Sequence, residues 1–419
     1  MRIIADLHIH SSHSRATSPD MTLPTLERWA GLKGIDLLGT GDFTHPAHFA
    51  AITELLEENN PGLYTLRASK SKKTVHFMLT AEVCNIFTQG GRKRKVHSLI
   101  FAPSIEAVRR INATLGKMGN LKSDGRPIFG FSATELLKAV LDSSPDAMLV
   151  PAHAWTPWFS LFGSKSGFDS IEECFGDCSA HIHAIETGLS SDPAMNGRLS
   201  ALDNITLISN SDAHSPAKLG REANVLNSCL DYYEITGIFK SKDADRFIHT
   251  IEFFPEEGKY HSDGHRGCGI LFTPEQTGKA GGKCPVCGKG LTVGVMNRVS
   301  QLADRPAHIP VKSAQRFVSA VPLQEIIAES CGVGVNSARV QKEYMRLVTT
   351  AGSEFSLLLD MSEADLTQAI GPEIAGAIMK VRRGEVDITP GFDGEFGKIR
   401  IFGKAEKVVP TGLQQTGFL

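Results

Sequence analysis

Short apolar runs alternate with longer amphipathic stretches through residues 1–255, and this alternation limits the fold more than any other feature of the chain. The runs fall at 3–9, 37–39, 77–81, 98–102, 148–151 and 205–209. Between them, 23–32, 49–56, 105–115, 133–141 and 171–178 carry apolar residues at helical intervals. The first pattern suits a buried strand and the second one face of a helix. Their alternation predicts an α/β fold with parallel strands in a sheet or barrel over 1–255. At 419 residues the chain exceeds the ~250–300 at which a single core stops growing, so smaller units are expected to follow. Gly, Lys and a Cys/His cluster replace strand signals at 256–300, predicting a small zinc-binding module. Residues 301–385 read as a helical domain, with helices at 323–331, 337–349, 354–359, 363–370 and 372–382 punctuated by Gly332, Gly334, Gly352 and Gly371. Over 386–419, Pro390-Gly391 and Asp393-Gly394 between short runs predict a hairpin and a flexible tail.

Metal-ligating residue types follow the apolar runs in order. Asp6-Leu7-His8-Ile9-His10 ends the first, and strand alternation turns His8 and His10 to one face. Asp42 and His45 follow the second, Glu82 the third, then come His97, His153, Asp212 and His214. In a parallel barrel the C-terminal strand ends converge, so these residues are expected in one pocket. Imidazole with carboxylate suits Zn²⁺, Mn²⁺ or Fe²⁺, and a carboxylate such as Glu82 can bridge two ions. The alternative, unconnected polar residues capping strands, fits a lone histidine better than an ordered set.

His8-Ile9-His10, the Gly41-Asp42-Phe43 turn, Ala81-Glu82-Val83, His97, His153 and Asp212-Ala213-His214 resemble the polymerase-and-histidinol-phosphatase (PHP) metallohydrolase superfamily over about residues 1–250. That resemblance implies a distorted (β/α)7 barrel carrying two or three divalent metals (Zn, Mn, Mg or Fe). His8, His10, Glu82 and Asp212 would hold one, Glu82, His97 and His153 a second, with His45 and His214 helping a third; Asp42 joins the ligand set. Glu82, Asp212 and His153 would carry catalysis. The chain departs from many members in having Gly-Asp-Phe-Thr-His instead of a Thr-Asp-His turn, and in offering only His13 after the first pair.

His265 and Cys268, then Cys284-Pro285-Val286-Cys287, give two pairs of soft ligands on knuckle-like turns, the donor set of a tetrahedral structural zinc. A redox role for Cys284 and Cys287 lacks the strand–CxxC–helix context; His261 is an alternative fourth ligand. Cys174, Cys178, His181 and His183 form a further set, equally explained by a helix running into a strand.

The formal net charge of −2 argues against a uniformly basic nucleic-acid binder. Yet residues 62–97 hold eight Lys or Arg, among them Arg92, Lys93, Arg94 and Lys95, against one acid, Glu82. A phosphodiester backbone approaching the expected metals would meet this stretch. Directly after His153 the segment 154–168 concentrates aromatic residues, and Trp155, Trp158, Phe159, Ser164 and Lys165 are expected to contact DNA. Together with Glu186-Thr187-Gly188-Leu189-Ser190-Ser191-Asp192-Pro193 and Ser209-Asn210-Ser211-Asp212-Ala213-His214, these motifs resemble the endonuclease Q family along nearly the whole chain. The resemblance implies a DNA repair endonuclease that cuts double-stranded DNA 5′ to deaminated bases (uracil, hypoxanthine, xanthine) and abasic sites, leaving 3′-hydroxyl and 5′-phosphate ends. Ser170, Glu186, Ser190 and Ser191 are candidate base-pocket residues. Competing readings are a small-molecule phosphoesterase of the histidinol-phosphatase kind, and a binding scaffold with a degenerate metal site. Gly332-Val333-Gly334 and Gly371-Pro372 precede helices whose N-termini suit phosphates. Gln414-Gln415-Thr416-Gly417-Phe418-Leu419 resembles a sliding-clamp peptide of imperfect spacing. No apolar run reaches the ~18 residues of a membrane span. With no basic and apolar leader and with cysteines spaced as ligands, the chain is expected in the cytoplasm, near the nucleoid.

Overall fold

The computed structural model of the chain describes residues 1–69, 71, 73–306 and 315–403. Lys70 and Lys72 of the basic stretch and the clamp-like tail lie outside them. The chain divides into two compact units, one of residues 1–318 and 389–398, the other of 319–388 and 399–419.

In the larger unit, strands β1 (Arg2–Asp6), β2 (Leu37–Gly39), β3 (Leu56–Asn60), β4 (Leu63–Leu66), β5 (His76–Gln89), β6 (Arg92–Ala102), β7 (Ile128–Phe129), β8 (Met148–Pro151), β9 (Ala184–Glu186), β10 (Thr206–Ile208), β11 (Ala223–Asn227) and β12 (Phe247–Glu252) alternate with helices. These are α1 (Leu23–Lys33), α2 (Pro46–Leu55), α3 (Ile105–Met118), α4 (Ala133–Ser143), α5 (Ile171–Phe175), α6 (Pro193–Asn196) and α7 (Tyr232–Ser241). Side chains cap α3 and α4: Ser104 Oγ accepts from Ala107 N, and Ser132 with Glu135 closes a full capping box.

The expected α/β class is found, but the strands are mixed in direction. β1, β2 and β5 run parallel, whereas β11 pairs antiparallel to β1, and β5, β6 and β8 form antiparallel ladders. Glu82 and His97 therefore sit inside the long β5–β6 hairpin, not at the C-terminal ends of parallel strands. The hydrogen-bonded ladder does not close into a barrel among the described residues, since β9 and β10 pair only with each other. Two seams interrupt the ring. Next to β10, the Asn224 amide bonds both Ser209 N (2.9 Å) and Ser209 O (2.8 Å), doing with a side chain what a neighbouring backbone would do. Next to β9, loop bonds join Ala154 N to Glu186 O (2.9 Å) and His153 N to Glu186 Oε2 (2.8 Å). Inside, Ile3, Ala5, Leu7, Leu37, Met78, Leu99, Phe101, Val150, Ala184, Ile208 and Leu226 make one core drawn from all these strands, so the seams are bridged by apolar burial.

Residues 256–302 build β13 (Asp263–His265), β14 (Ile270–Phe272), α8 (Pro274–Lys279) and α9 (Val295–Leu302). Asp263 is buried and accepts from Gly294 N (2.6 Å) and Asn297 Nδ2 (2.5 Å), locking hairpin to helix. In the smaller unit, α10 (Leu323–Cys331), α11 (Ala338–Ala351), α12 (Glu363–Ile370) and α13 (Pro372–Arg382) pack about Leu323, Ile327, Tyr344, Leu347, Leu366 and Ile378. Glu354 bonds Leu323 N (3.0 Å) and Tyr344 Oη (2.8 Å) at their centre. No described helix is long and apolar enough to cross a membrane.

Candidate metal centre

The chain beyond β1 lies beside the chain beyond β10. Leu7 N donates to Asn210 Oδ1 (2.8 Å), His10 N to Ala213 O (3.0 Å), and the buried Asp6 carboxylate accepts from Ser211 N (3.0 Å) and Gly220 N (2.9 Å). This places Asp212 opposite the two imidazoles of the His-Ile-His turn. Asp212 Oδ1 stands 3.1 Å from His10 Nε2 and 3.6 Å from His8 Nε2. Glu82 enters from β5, its Oε2 at 3.2 Å from His10 Nε2 and 3.5 Å from His8 Nε2. Its other oxygen faces away: Oε1 lies 2.7 Å from His97 Nδ1 and 3.0 Å from His153 Nε2. The β5–β6 register pairs Glu82 with Leu99 and Cys84 with His97, so Glu82 and His97 are diagonal neighbours on one face. Two groups of ligand atoms thus gather within 4.8 Å, one of His8, His10, Glu82 and Asp212, the other of Glu82, His97 and His153.

The hydrogen bonds fix which imidazole atoms are available. His8 Nδ1 lies 3.0 Å from Glu186 Oε1 and His10 Nδ1 3.1 Å from Asp42 Oδ1. With Nδ1–H donating to a carboxylate, each Nε2 presents a lone pair, the usual arrangement behind a metal-bound histidine. Both Nε2 atoms and Asp212 Oδ1 are buried without a hydrogen-bond partner. Lone pairs and carboxylate oxygens that face one another in a buried space need a cation between them, a proton or a metal ion. Without a metal, burial works against protonation of His8 and His10, yet the carboxylates around them win and raise both pKa values well above the usual imidazole value. Burial pushes His97 down to about 4, with His153 and Arg126 adding to the effect against Glu82, so it is a neutral donor. The donor set therefore fits divalent cations. Asp42, His153 and Asp212 adopt left-handed backbone with φ of 46°, 30° and 47°, conformations that cost ~1–3 kcal/mol each and recur at functional sites.

Several expected residues take other places. Asp42 is not in either ligand group: its Oδ1 holds His10, and its Oδ2 accepts from Ser11 N (2.6 Å), Ser11 Oγ (2.6 Å) and Ser14 Oγ (2.9 Å). Asp42 thus lies directly behind His10, a member of the first group. His45 stacks on His13 with ring centroids 4.4 Å apart, and His214 packs 4.5 Å from His10 with Nδ1 on Asp212 O (2.9 Å); neither joins the two groups. Glu186, expected to read a base, is fully buried, holds His8 and accepts from His153 N (2.8 Å) and Asn210 Nδ2 (2.9 Å). Trp155 is also buried, its Nε1 donating to Asn196 Oδ1 (2.8 Å), so it packs the loop and has no surface for DNA. Ser170 Oγ caps α5 and Ser191 Oγ donates to Thr187 O (2.9 Å), while Ser190 is half-buried. Arg94 is buried, lies over Phe168 at 4.2 Å, and pairs with Glu173 at 2.6 Å.

Of the remaining DNA candidates, Arg92, Lys93 and Lys165 are exposed and Lys95 is half-buried, while the Ser164 hydroxyl is covered. Lys95 Nζ lies 4.7 Å over Phe159, whose ring packs 4.9 Å from that of His97. Trp158 is 39% exposed and meets Tyr260 edge-on at 5.5 Å. Sequence reading missed Arg126, whose Nη1 donates to Glu82 Oε2 at 2.8 Å. It stands in the loop just before β7, and nothing in that local pattern shows that its side chain meets Glu82.

A third group is separate: His265, Cys268, Cys284 and Cys287 bring one ligand atom each within 4.8 Å, with His265 Nδ1 3.6 Å from Cys287 Sγ. Gly269 and Gly288, at φ 64° and 71°, turn the chain at both knuckles. Backbone N–H groups of Cys287 and Val286 outweigh burial and bring the Cys284 thiol down to about 7, toward the thiolate that zinc binds. His261 lies outside this group, and Cys174, Cys178, His181 and His183 form no such group among the described residues.

Against known proteins, residues 322–385 match the MJ0043 C-terminal domain family. A Bacillus subtilis protein, YqxK, is 30% identical over 412 residues, covering 95% of this chain and 99% of its own. The crystal structure of the lesion-specific endonuclease PfuEndoQ from Pyrococcus furiosus superposes with a TM-score of 0.85 at 31% identity, covering 99% of this chain and 98% of that one. An endonuclease Q in complex with a 27-mer duplex carrying an abasic lesion at its active site gives 0.83 at 31% identity over the full length of both chains.

Proposed function

The chain belongs to the endonuclease Q family of metal-dependent DNA endonucleases, and from this we propose that it repairs DNA by cutting one strand 5′ to an abasic site or a deaminated base. Uracil, hypoxanthine and xanthine are the bases in question, and the ends are 3′-hydroxyl and 5′-phosphate. The observation that carries the reading is Glu82, whose two oxygens address two different sets of imidazoles. His8, His10, Glu82 and Asp212 would hold one divalent ion and Glu82, His97 and His153 another; zinc would fill the Cys/His group as a structural ion. Ions at the first two positions supply acidity to a water at neutral pH and positive charge against phosphate oxygens. Glu186 and Asp42 keep the His8 and His10 lone pairs aimed inward. The strained turn at Asp212 is held by the Asp6 carboxylate, which accepts from Ser211 N and Gly220 N.

DNA would be received by Arg92 and Lys93 at the hairpin tip, with Lys165 and half-exposed Trp158 and Phe159 beside the centre. A deaminated or missing base pairs weakly, and a flipped nucleotide is cheaper to extrude there. The small-phosphoesterase alternative has no use for these exposed basic and aromatic residues. The test is nicking of labelled duplexes containing one uracil or one abasic site, with Mn²⁺, Mg²⁺ or Zn²⁺ added. Nicking on the lesion strand alone is expected, and Asp212→Asn should abolish it while leaving DNA binding. Hydrolysis of a small phosphomonoester with no nicking would overturn the reading.

A further inference from the structure

Arg126 is placed with more care than a counter-ion needs. Its segment is pinned on both sides of the metal centre: Gly125 N donates to His13 O (3.0 Å), Thr44 Oγ1 donates to Gly125 O (3.1 Å), and Cys84 N donates to Pro127 O (3.0 Å). A Cβ at position 125 would collide with Ser14 Oγ and Asp42 Oδ2, so only glycine lets the backbone pass this close to the group that orients His10. The Arg126 side chain reaches from here over Glu82, 30% exposed where Glu82 is wholly covered. Nη1 bonds Glu82 Oε2 at 2.8 Å, and this is the one hydrogen bond its guanidinium makes to a side chain among the described residues. A guanidinium has five N–H donors, so with the side chain partly exposed it keeps donors for a further acceptor.

Charge counting separates a counter-ion from a substrate group. Two divalent ions at these positions would be neutralised by Glu82 and Asp212 within the ligand groups and by Glu186 and Asp42 directly behind the imidazoles. Arg126 cannot lose its proton, and its positive charge at the edge of the site would then be left over. A phosphodiester supplies the one negative charge that is missing, in a geometry the planar fork matches.

We propose that Arg126 is a catalytic residue of the endonuclease reaction, gripping a non-bridging oxygen of the scissile phosphate as negative charge gathers there. The inference rests on the endonuclease reading above. During hydrolysis the water oxygen bonds to phosphorus, the P–O3′ bond breaks, the 3′ oxygen takes one proton of the water, and Arg126 gives hydrogen bonds without giving a proton.

The experiment compares wild type, Arg126→Ala and Arg126→Lys in single-turnover nicking of an abasic-site duplex, with metal content and DNA binding measured on the same samples. Arg126→Ala should lose ~10²–10³-fold in rate at unchanged metal content, and added methylguanidinium should restore part of it. Arg126→Lys keeps a charge beside Glu82 and hence the fold; a point charge cannot replace the fork, so it too should be slower by ~10-fold or more. Loss of metal from the variants, with the rate recovered by excess metal, would overturn the proposal and leave Arg126 as a support for Glu82. Wild-type rates in both variants would also overturn it. A wild-type chain that does not nick would overturn the endonuclease reading and this inference with it.

Discussion

Glu82 and Glu252 are both fully buried, yet their surroundings drive them in opposite directions. Around Glu82, burial favours the neutral acid, but His97, Arg126 and His8 outweigh it and hold the carboxyl well below its usual range. Glu252 has hydroxyls for company, Thr187 Oγ1 at 3.2 Å and Ser209 Oγ at 3.0 Å, and burial pushes it up to about 8. A neutral carboxyl at pH 7 suits a structural post, and a charged one suits an ion. The folded state of Glu252 keeps a proton that the unfolded chain releases near 4.5. Stability should therefore fall as pH rises from about 4.5 to about 8, by up to ~1.4 kcal/mol per pH unit for this group, and level off above. Glu252→Gln should flatten that slope in thermal unfolding followed from pH 5 to 9; equal slopes in variant and wild type would refute it. Neither environment is legible locally, because Glu82 and Glu252 differ in what distant segments bring to them.

At the level of elements, the β5–β6 hairpin and the segment 152–168 do most to shape the site. The hairpin escapes a reading of the sequence because Gly90-Gly91, at φ 59° and 71°, lies between polar residues and reads as loop. Its antiparallel register is what sets Glu82 diagonal to His97. The aromatic segment follows from sequence as unusual, but its division into core and surface does not: Trp155 is inside and Trp158 outside. Its position is secured from α9, where Arg298 donates to Phe162 O (2.9 Å) and Phe168 O (2.9 Å) and pairs with Asp169 (2.5 Å). The Cys/His module thereby steadies a loop that reaches the metal centre. Arg298→Ala should lower lesion nicking by ~10–100-fold, the scale of a small misplacement of binding groups, while metal content at the His/Glu/Asp centre stays the same. Unchanged nicking would show that the loop holds its shape without the clamp.

On the scale of the whole molecule, a net charge of −2 leaves DNA affinity to local groups. Arg92 and Lys93 are exposed at the hairpin tip, while Arg94 of the same run is buried on Phe168. Replacing Arg92 and Lys93 together by Ala should reduce the slope of log K against log salt by up to ~1.8, about 0.9 for each phosphate no longer neutralised; an unchanged slope would place the DNA path elsewhere. The sequence alone determined the α/β class, the order of the metal ligands and the Cys/His quartet, because strand alternation, helical periodicity and ligand spacing are local properties. Tertiary structure alone decided that Asp42 and Glu186 stand behind the ligands, that Trp155 and Arg94 are core, that Arg126 meets Glu82, and that side-chain amides bridge a seam of an unclosed ladder. Each of those outcomes turns on which oxygen, nitrogen or ring a residue meets across a long stretch of chain, and burial and hydrogen bonding assign such partners only when the segments are packed together.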